Sequence, residues 1–325
     1  MVFGTGRLNR GGSGLLVLSA TDVEELLEGP ELVPLMSRAL VAYSAGEADV
    51  PPRIAARCPR GLLGAMAADL APTALAVKLV SVFPDNPKRA LPSHQGLLLL
   101  FDRELGQPLC VMDARRITAQ RTAAVSALSV RALAPPGSTT LAILGSGAQA
   151  RAHLELVPGV VRFAEVRLWA RRPEGAQQLA RGMSTAIRVC DSAEAAVRGA
   201  QVVVCSTDAR QAIVPEAWLE GPVHLVSVGT GPELAPSVLA RARLFVEWRG
   251  AVTNPAPAGA AEIQAVDPAA VTELGEVLSG LRPGRNPADV LTVFKSTGLA
   301  VEDAAVAAAV YERAAVRGIG TVIPW

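Results

Sequence analysis

The sequence predicts an α/β protein in which a parallel sheet with alternating helices is joined to a second, strand-rich α+β domain. Three observations carry this reading. An apolar run over residues 140–144 ends in G-x-G-x-x-A (Gly145, Gly147, Ala150) and opens into residues that favour a helix. Downstream, short runs rich in Val and Leu alternate with helical stretches as far as residue 247, the pattern of βαβ units. Upstream, residues 54–112 hold several strand-like runs in succession, with a Pro-Pro-Gly-Ser break at 135–138 before the glycine motif.

Residues 1–14 are rich in Gly and Arg and read as a frayed terminus. The apolar run at 15–18 is too short for a signal-peptide core or a membrane span. From 19 to 46 the spacing is helical: Ser19 or Thr21 caps one helix, and 31–45 continues as a second, amphipathic one. Strands follow around 62–66, 74–83 and 96–101. A turn at 106–108 leads into another at 109–112. A helix at 118–133, with Thr118 as N-cap, is small and apolar. After the strand at 140–144, further strands are expected at 165–169, 187–190, 200–205, 224–228 and 244–247, with helices at 192–198 and 236–242 between them. The last helix, 301–317, is rich in Ala and Val and is expected to be buried, returning to the first domain.

At 325 residues and 50% hydrophobic, the chain can build two cored domains. A net charge of +1 gives no electrostatic case for nucleic acid or an anionic membrane. Cys58, Cys110, Cys190 and Cys205 are scattered without C-x-x-C spacing and read as reduced core residues of an intracellular, cytoplasmic protein. Three histidines make a His-rich metal centre an unpromising reading.

The glycine motif is either a bare strand-to-helix turn or a dinucleotide-binding Rossmann loop. In the second case Gly145 allows the tight turn, Gly147 lets backbone approach a pyrophosphate, and the helix N-terminus meets the phosphates. At the end of the next strand, where an NAD site carries an acid, stand Arg171 and Arg172. Two guanidinium groups suit a 2′-phosphate, so the residues favour NADPH over NADH. The other reading is a pair of solvated loop arginines.

Lys78 interrupts an apolar strand. It lies either on a solvated sheet face, which the local pattern favours, or in a cleft where it binds an anion. Arg121 stands in the expected first turn of the 118–133 helix, where the dipole disfavours a cation unless an anion or a neighbouring carboxylate is shared. Arg53, after Pro51-Pro52, is by itself a surface arginine. Ser93 and His94 sit in a compact turn that is either ordinary turn chemistry or a cofactor contact. Glu273 and Glu276 read from spacing as a solvated helix face.

Taken in order, several blocks resemble the ornithine cyclodeaminase/mu-crystallin family, most nearly its mu-crystallin, or ketimine reductase, branch. They are V-K-L-V-S-V-F-P-D-N (77–86), L-P-S-H-Q-G (91–96), V-M-D-A-R-R-I-T-A-Q-R-T-A-A-V-S-A (111–127), I-L-G-S-G-A-Q-A (143–150), E-L-G-E-V (273–277) and T-V-F-K-S-T-G-L-A-V-E-D (292–303). The resemblance runs from about residue 18 to 311. It implies a homodimer whose N-terminal domain (1–116), completed by the C-terminal helix (299–325), serves dimerisation and substrate, beside a Rossmann NAD(P)-binding domain at 117–298. It implies reduction of cyclic ketimines bearing a carboxylate, and thyroid hormone binding in the same pocket. By position, Arg53, Lys78, Arg121 and Glu273 become the substrate and catalytic residues. Ser93, His94, Arg121, Gly145, Gly147, Ala148, Gln149, Ala170, Arg171, Arg172, Thr207, Val228 and Ser296 become cofactor contacts. No metal is implied.

One stretch departs from the family. After Val228-Gly229 the chain reads Thr230-Gly-Pro-Glu-Leu234, about four residues short, without the Asp that cyclodeaminases place there. This argues against ornithine cyclodeaminase chemistry. It leaves a ketimine reductase, an alanine dehydrogenase-like or opine-forming enzyme, or a small-molecule carrier of weak turnover.

Overall fold

The computed structural model describes residues 14–229 and 231–325, so the reading of 1–13 as frayed lies outside the described residues. Gly14 itself opens a strand. The chain divides into two compact units, Met1–Arg121 with Leu299–Trp325, and Thr122–Gly298.

In the first unit, β1 (Gly14–Leu18) leads into α1 (Ala20–Leu26) and α2 (Gly29–Ser44). Ser19 is the cap of α1: its hydroxyl accepts from the Asp22 N–H at 3.3 Å, and the Asp22 carboxylate accepts from the Ser19 N–H at 2.8 Å. Then come β2 (Ala48–Asp49), β3 (Ile54–Cys58), β4 (Gly61–Leu70), β5 (Ala74–Val82), β6 (His94–Phe101) and β7 (Pro108–Asp113). α3 (Arg115–Leu133) begins earlier than the spacing suggests, because Asp113 at the end of β7 accepts the Arg115 N–H at 2.9 Å. Thr118 therefore lies inside the helix and caps nothing, and Arg121 stands in its second turn, not its first.

The second unit is a doubly wound sheet. Its strands are β8 (Thr140–Leu144), β9 (Glu165–Trp169), β10 (Arg188–Val189), β11 (Val202–Cys205), β12 (Val223–Ser227), β13 (Arg243–Val246), β14 (Thr272–Glu273) and β15 (Leu291–Lys295). The intervening helices are α4 (Ala148–Leu156), α5 (Pro173–Arg181), α6 (Ala193–Val197), α7 (Pro236–Arg241), α8 (Gly250–Thr253) and α9 (Leu274–Leu278). All neighbours pair in parallel, in the order β10-β9-β8-β11-β12-β15-β13-β14. β8, β11, β12 and β15 are buried along their whole length; β15, which holds Thr292 and ends in Lys295, is not among the strands expected from the sequence. The order reverses between β8 and β11, where ligands of such sheets bind.

The chain then returns to the first unit through α10 (Ala300–Arg317), which packs on β4, β5, β6 and α2. It ends in β16 (Thr321–Pro324), antiparallel to β1, a strand that its four residues did not signal. The first sheet runs β16-β1-β7-β6-β5-β4-β2, with β3 also on β4. Register gives this sheet two unlike faces. Met66, Lys78, Leu98, Met112 and Leu18 form one cross-strand row, and all five are buried. On the opposite face, Ile54, Ala65, Leu79 and Leu97 form another, and Ile54, Leu97 and the nearby Leu63 are exposed.

Cys110, Cys190 and Cys205 are buried, but Cys58 is exposed, because β3 lies outermost on β4. Among the described residues no helix is long and apolar enough to cross a membrane.

Candidate functional site

Two constellations carry the chemistry, one in each unit. In the second unit the glycine loop joins β8 to α4. Gly145 has φ of +129°, and a Cβ there would stand 2.5 Å from the Ser206 carbonyl oxygen, so neither the backbone nor the space admits another residue. Gly147 is the N-cap of α4, without a side-chain cap, and a Cβ on it would meet nothing within 4 Å. The first turn of α4 thus presents N–H groups to open space. Beside it lies a cavity of about 550 Å³ lined by Ser146, Gly147, Ala148, Arg151, Arg172 and Glu174, among others. The Gln149 side-chain oxygen is buried and has no hydrogen-bond partner. Uncapped helix donors, an open glycine and cationic walls fit the phosphates of a dinucleotide.

Arg172 lines this cavity, while Arg171 is 79% exposed and lies 3.8 Å from Asp208. Ala170 is buried at the end of β9. Arg151, which no motif singled out, joins Arg172 because it follows Ala148 by one helical turn.

At the ends of β11 and β12, Glu233 is wholly buried. Its carboxylate accepts from the Thr207 N–H and hydroxyl, each at 2.7 Å, and from the Ser227 hydroxyl and Gly229 N–H, each at 2.8 Å. Lys295 donates to Ser227 Oγ and the Gly229 carbonyl at 2.9 Å and pairs with Glu262 at 2.7 Å. Glu233 and Leu234 of the short stretch are therefore tied inward, and both Thr207 donors are given to Glu233. Val228 is half-buried beside it. Ser296 is buried and donates to Glu247 at 2.6 Å; Glu247 also accepts the N–H groups of Thr297 and Gly298 at 2.9 and 2.7 Å.

Glu273 and Glu276 are not a solvated face. Both are buried, the Arg249 N–H donates to Glu273 at 2.9 Å, and the Arg249 guanidinium meets Glu276 at 2.8 Å. Spacing alone could not reveal a cation supplied from 24 residues upstream.

The first unit holds the second constellation. Lys78 is 2% exposed, so the solvated-face expectation is overturned. Its ammonium meets Asp303 Oδ2 at 2.7 Å. Arg121 meets Glu302 at 2.7 Å and Asp303 at 3.3 Å. Arg121 thus has carboxylate partners, and the expectation of an anion shared with first-turn N–H groups fails with the helix register. Glu302 and Asp303 lie in the first turn of α10, where carboxylates are favoured. Arg53 is half-buried, and its charge acts on both Lys78 and Asp303. Burial, with the Arg121 and Arg53 charges against the pull of Asp303, brings Lys78 from its ordinary 10.5 down to about 8. Against the cost of burial, Arg121 and Lys78 hold Asp303 below the usual carboxylate range. Desolvation and the Lys78 charge keep His94 below the ordinary imidazole value, and Ser93 Oγ lies 3.1 Å from its Nδ1.

The structure therefore brings Arg53, Lys78 and Arg121 together, with His94 within their field. It adds Glu302 and Asp303, to which the sequence reading gave no role. Their signal was a pair of acids opening an otherwise apolar, buried helix.

A doubly wound parallel sheet with a glycine loop at its switch point, in a chain that also carries a buried acid–base cluster, defines a class: oxidoreductases that use a nicotinamide dinucleotide. The chain belongs to the ornithine cyclodeaminase/mu-crystallin family, whose model matches residues 15–318. It is 39% identical over 306 residues to the ketimine reductase mu-crystallin of Mus musculus, covering 91% of this chain and 96% of that one. Among solved structures it is similar to the Δ1-pyrroline-2-carboxylate reductase of Thermococcus litoralis in complex with NADH and L-proline. That likeness has 32% identity and a TM-score of 0.90, over 95% of this chain and 100% of the other. It is also similar to an archaeal alanine dehydrogenase dimer with bound NAD, at 32% identity and a TM-score of 0.85, over 95% and 99%.

Proposed function

We propose that the protein reduces cyclic imines bearing one carboxylate, of the piperideine- or pyrroline-2-carboxylate type, preferring NADPH and accepting NADH. The observation that carries this reading is the convergence of three cations on one cluster. Arg53, Lys78 and Arg121 gather about the buried Glu302 and Asp303, a set of donors suited to orienting a substrate carboxylate. Similarity to reductases of ketimines and of pyrroline-2-carboxylate supports the substrate class.

When bound, the reduced nicotinamide supplies the hydride. In this reading Arg121 and Arg53 orient the carboxylate by charge-assisted hydrogen bonds, which fixes the imine carbon for attack. Lys78, as an ammonium in a dry site, gives the imine nitrogen its proton. Glu273, held by Arg249, completes the substrate residues that the family resemblance implies. The N–H groups at Gly147 and Ala148 receive the pyrophosphate, and Gln149 receives a donor from the cofactor. Arg172, with Arg171 beside it, receives the 2′-phosphate, which is the ground for preferring NADPH. The family resemblance assigns the remaining cofactor contacts to Ser93, His94, Thr207, Val228 and Ser296.

The first unit would serve dimerisation, with its exposed apolar sheet face covered by a second copy. Four cysteines without a disulfide support a reducing, cytoplasmic setting. Thyroid hormone also carries one carboxylate and would compete for the same cations. One observation favours a second reading: Glu233 of the shortened stretch is buried and bound to Thr207 and Gly229, which suits a small-molecule carrier with slow turnover.

The test mixes purified protein with NADPH or NADH and ketimine carboxylates of five- and six-membered ring size, following nicotinamide absorbance. Oxidation that depends on the imine and is faster with NADPH is expected. NADPH binding without turnover would move the weight to the carrier.

A further inference from the structure

The reductase reading needs an acid at the imine nitrogen, and Lys78 is made one by its surroundings. We propose that Asp303, from the first turn of α10, is the positioning residue that orients the Lys78 ammonium and keeps it protonated through the working pH range. This rests on the reductase reading and assigns Asp303 a part within it.

Three observations carry it. Lys78 lies in a row of buried apolar side chains, Met66, Leu98, Met112 and Leu18, none of which can stabilise a charge. Asp303 is 1% exposed and approaches the Lys78 nitrogen to 2.7 Å. Asp303 is itself anchored independently of Lys78, by the Arg121 Nε at 3.3 Å and by its place at the N-terminus of α10. The groups facing Lys78 are thus Asp303 from α10, Arg121 from α3, Arg53 from the segment before β3, and His94 from β6. Arg121 and Arg53 push its proton off, and Glu302 is spent on Arg121. Asp303 is the group among them that holds the proton on. Burial and the two arginines bring Lys78 to about 8 even with Asp303 present, so without it the ammonium would give up its proton at a lower pH still.

The C=N π bond breaks as its carbon receives the hydride from NAD(P)H, and the electron pair passes to nitrogen. The Lys78 N–H bond breaks as the product N–H bond forms. Lys78 is left as a neutral amine beside Asp303 and regains a proton from solvent.

The test compares the wild type, Asp303→Asn and Asp303→Glu by the pH profile of kcat, by NADPH affinity and by thermal unfolding. Lysines 78, 88 and 295 are the three in the sequence, so ε-13C-lysine labelling gives an activity-free titration of Lys78 against two others. The wild type should lose activity as pH rises through about 8, and the Lys78 signal should titrate there. In Asp303→Asn both transitions should move down by about one to three pH units, the effect of removing an opposite charge at this range, with NADPH affinity kept. Asp303→Glu should keep the transition near its wild-type position while lowering kcat. Unmoved transitions in folded Asp303→Asn would overturn the proposal. If that variant does not fold, Asp303→Glu carries the test, and an unchanged kcat with an unchanged pH profile in that variant would overturn the proposal as well. Absence of turnover in the wild type, with the lysine titration as expected, would instead strike the reductase reading and leave the Lys78–Asp303 relation standing.

Discussion

Arg121 and Glu302 meet at 2.7 Å across a sequence separation of 181 residues, with side chains 5% and 0% exposed. They join the body of α3 to the start of α10 within the first unit, and the second contact from Arg121 goes to Asp303. A buried pair of this kind gains little over an apolar pair, but breaking it strands a charge. Glu302→Ala should therefore lower unfolding stability by about 3–5 kcal/mol, read by urea titration. A loss within error of zero would mean that water or Asp303 already satisfies Arg121.

Lys78→Met keeps the length of the side chain and removes its charge. If Lys78 is the proton donor, kcat should fall by about 10²–10⁴-fold. NADPH affinity, measured by fluorescence, should stay near the wild-type value. Equal loss of turnover and of NADPH binding would count against the donor role.

Much of the second unit was legible in the sequence because strands such as β8 and β11 are buried on both faces and read as apolar runs, with Gly145 and Gly147 marking the turn, whereas β15, interrupted by Thr292 and closed by Lys295, was not. The first unit was legible as strands but not as a pattern of charge. Whether Lys78 faced water or protein depended on α10, which lies more than 220 residues downstream, and on Asp303, to which the reading gave no role. A much shorter separation, 24 residues, hid the burial of Glu273 and Glu276, since their partner Arg249 comes from another element. Local spacing does carry one unused signal. Adjacent acids at the start of a helix built from Ala and Val must meet cations once the helix is buried.

Arg172 lines the cavity at the glycine loop, whereas Arg171 is mostly exposed. Arg172→Ala should weaken NADPH by about 10- to 100-fold, the worth of a charged hydrogen bond at 1.5–3 kcal/mol, and leave NADH nearly unchanged. Arg171→Ala should have the smaller effect. Equal effects on NADPH and NADH would remove the arginines from the 2′-phosphate.

Two buried imidazoles make stability depend on pH. Burial lowers His153 from 6.5 to about 4, and burial with the Arg285 charge lowers His224 to about 3. The unfolded chain binds these protons first, so the stabilisation is complete above about pH 6.5 and is lost as pH falls toward the folded values. For His153 the difference corresponds to about 3 kcal/mol at 1.36 kcal/mol per pH unit. Urea midpoints should fall steadily from pH 7 to pH 4.5, and more gently in His224→Asn. A flat profile would mean that both rings take up protons in the folded chain as readily as in the unfolded one, and would overturn the lowered values.

The first sheet leaves Ile54, Leu63 and Leu97 exposed on the face opposite Lys78, in register with Ala65 and Leu79. An exposed apolar face of this kind marks a partner surface. If the partner is a second copy, the two-fold makes every substitution count twice, because the same patch serves both subunits. Leu97→Asp then places two carboxylates in the interface. Size-exclusion chromatography with light scattering should read a dimer for the wild type and a monomer for Leu97→Asp at micromolar concentration. Val316→Asp is the control: Val316 is 87% exposed on α10, away from the sheet, and the dimer should survive its loss. A dimer that survives Leu97→Asp and Leu63→Asp together would take the interface off this face, and the apolar row would need a different occupant.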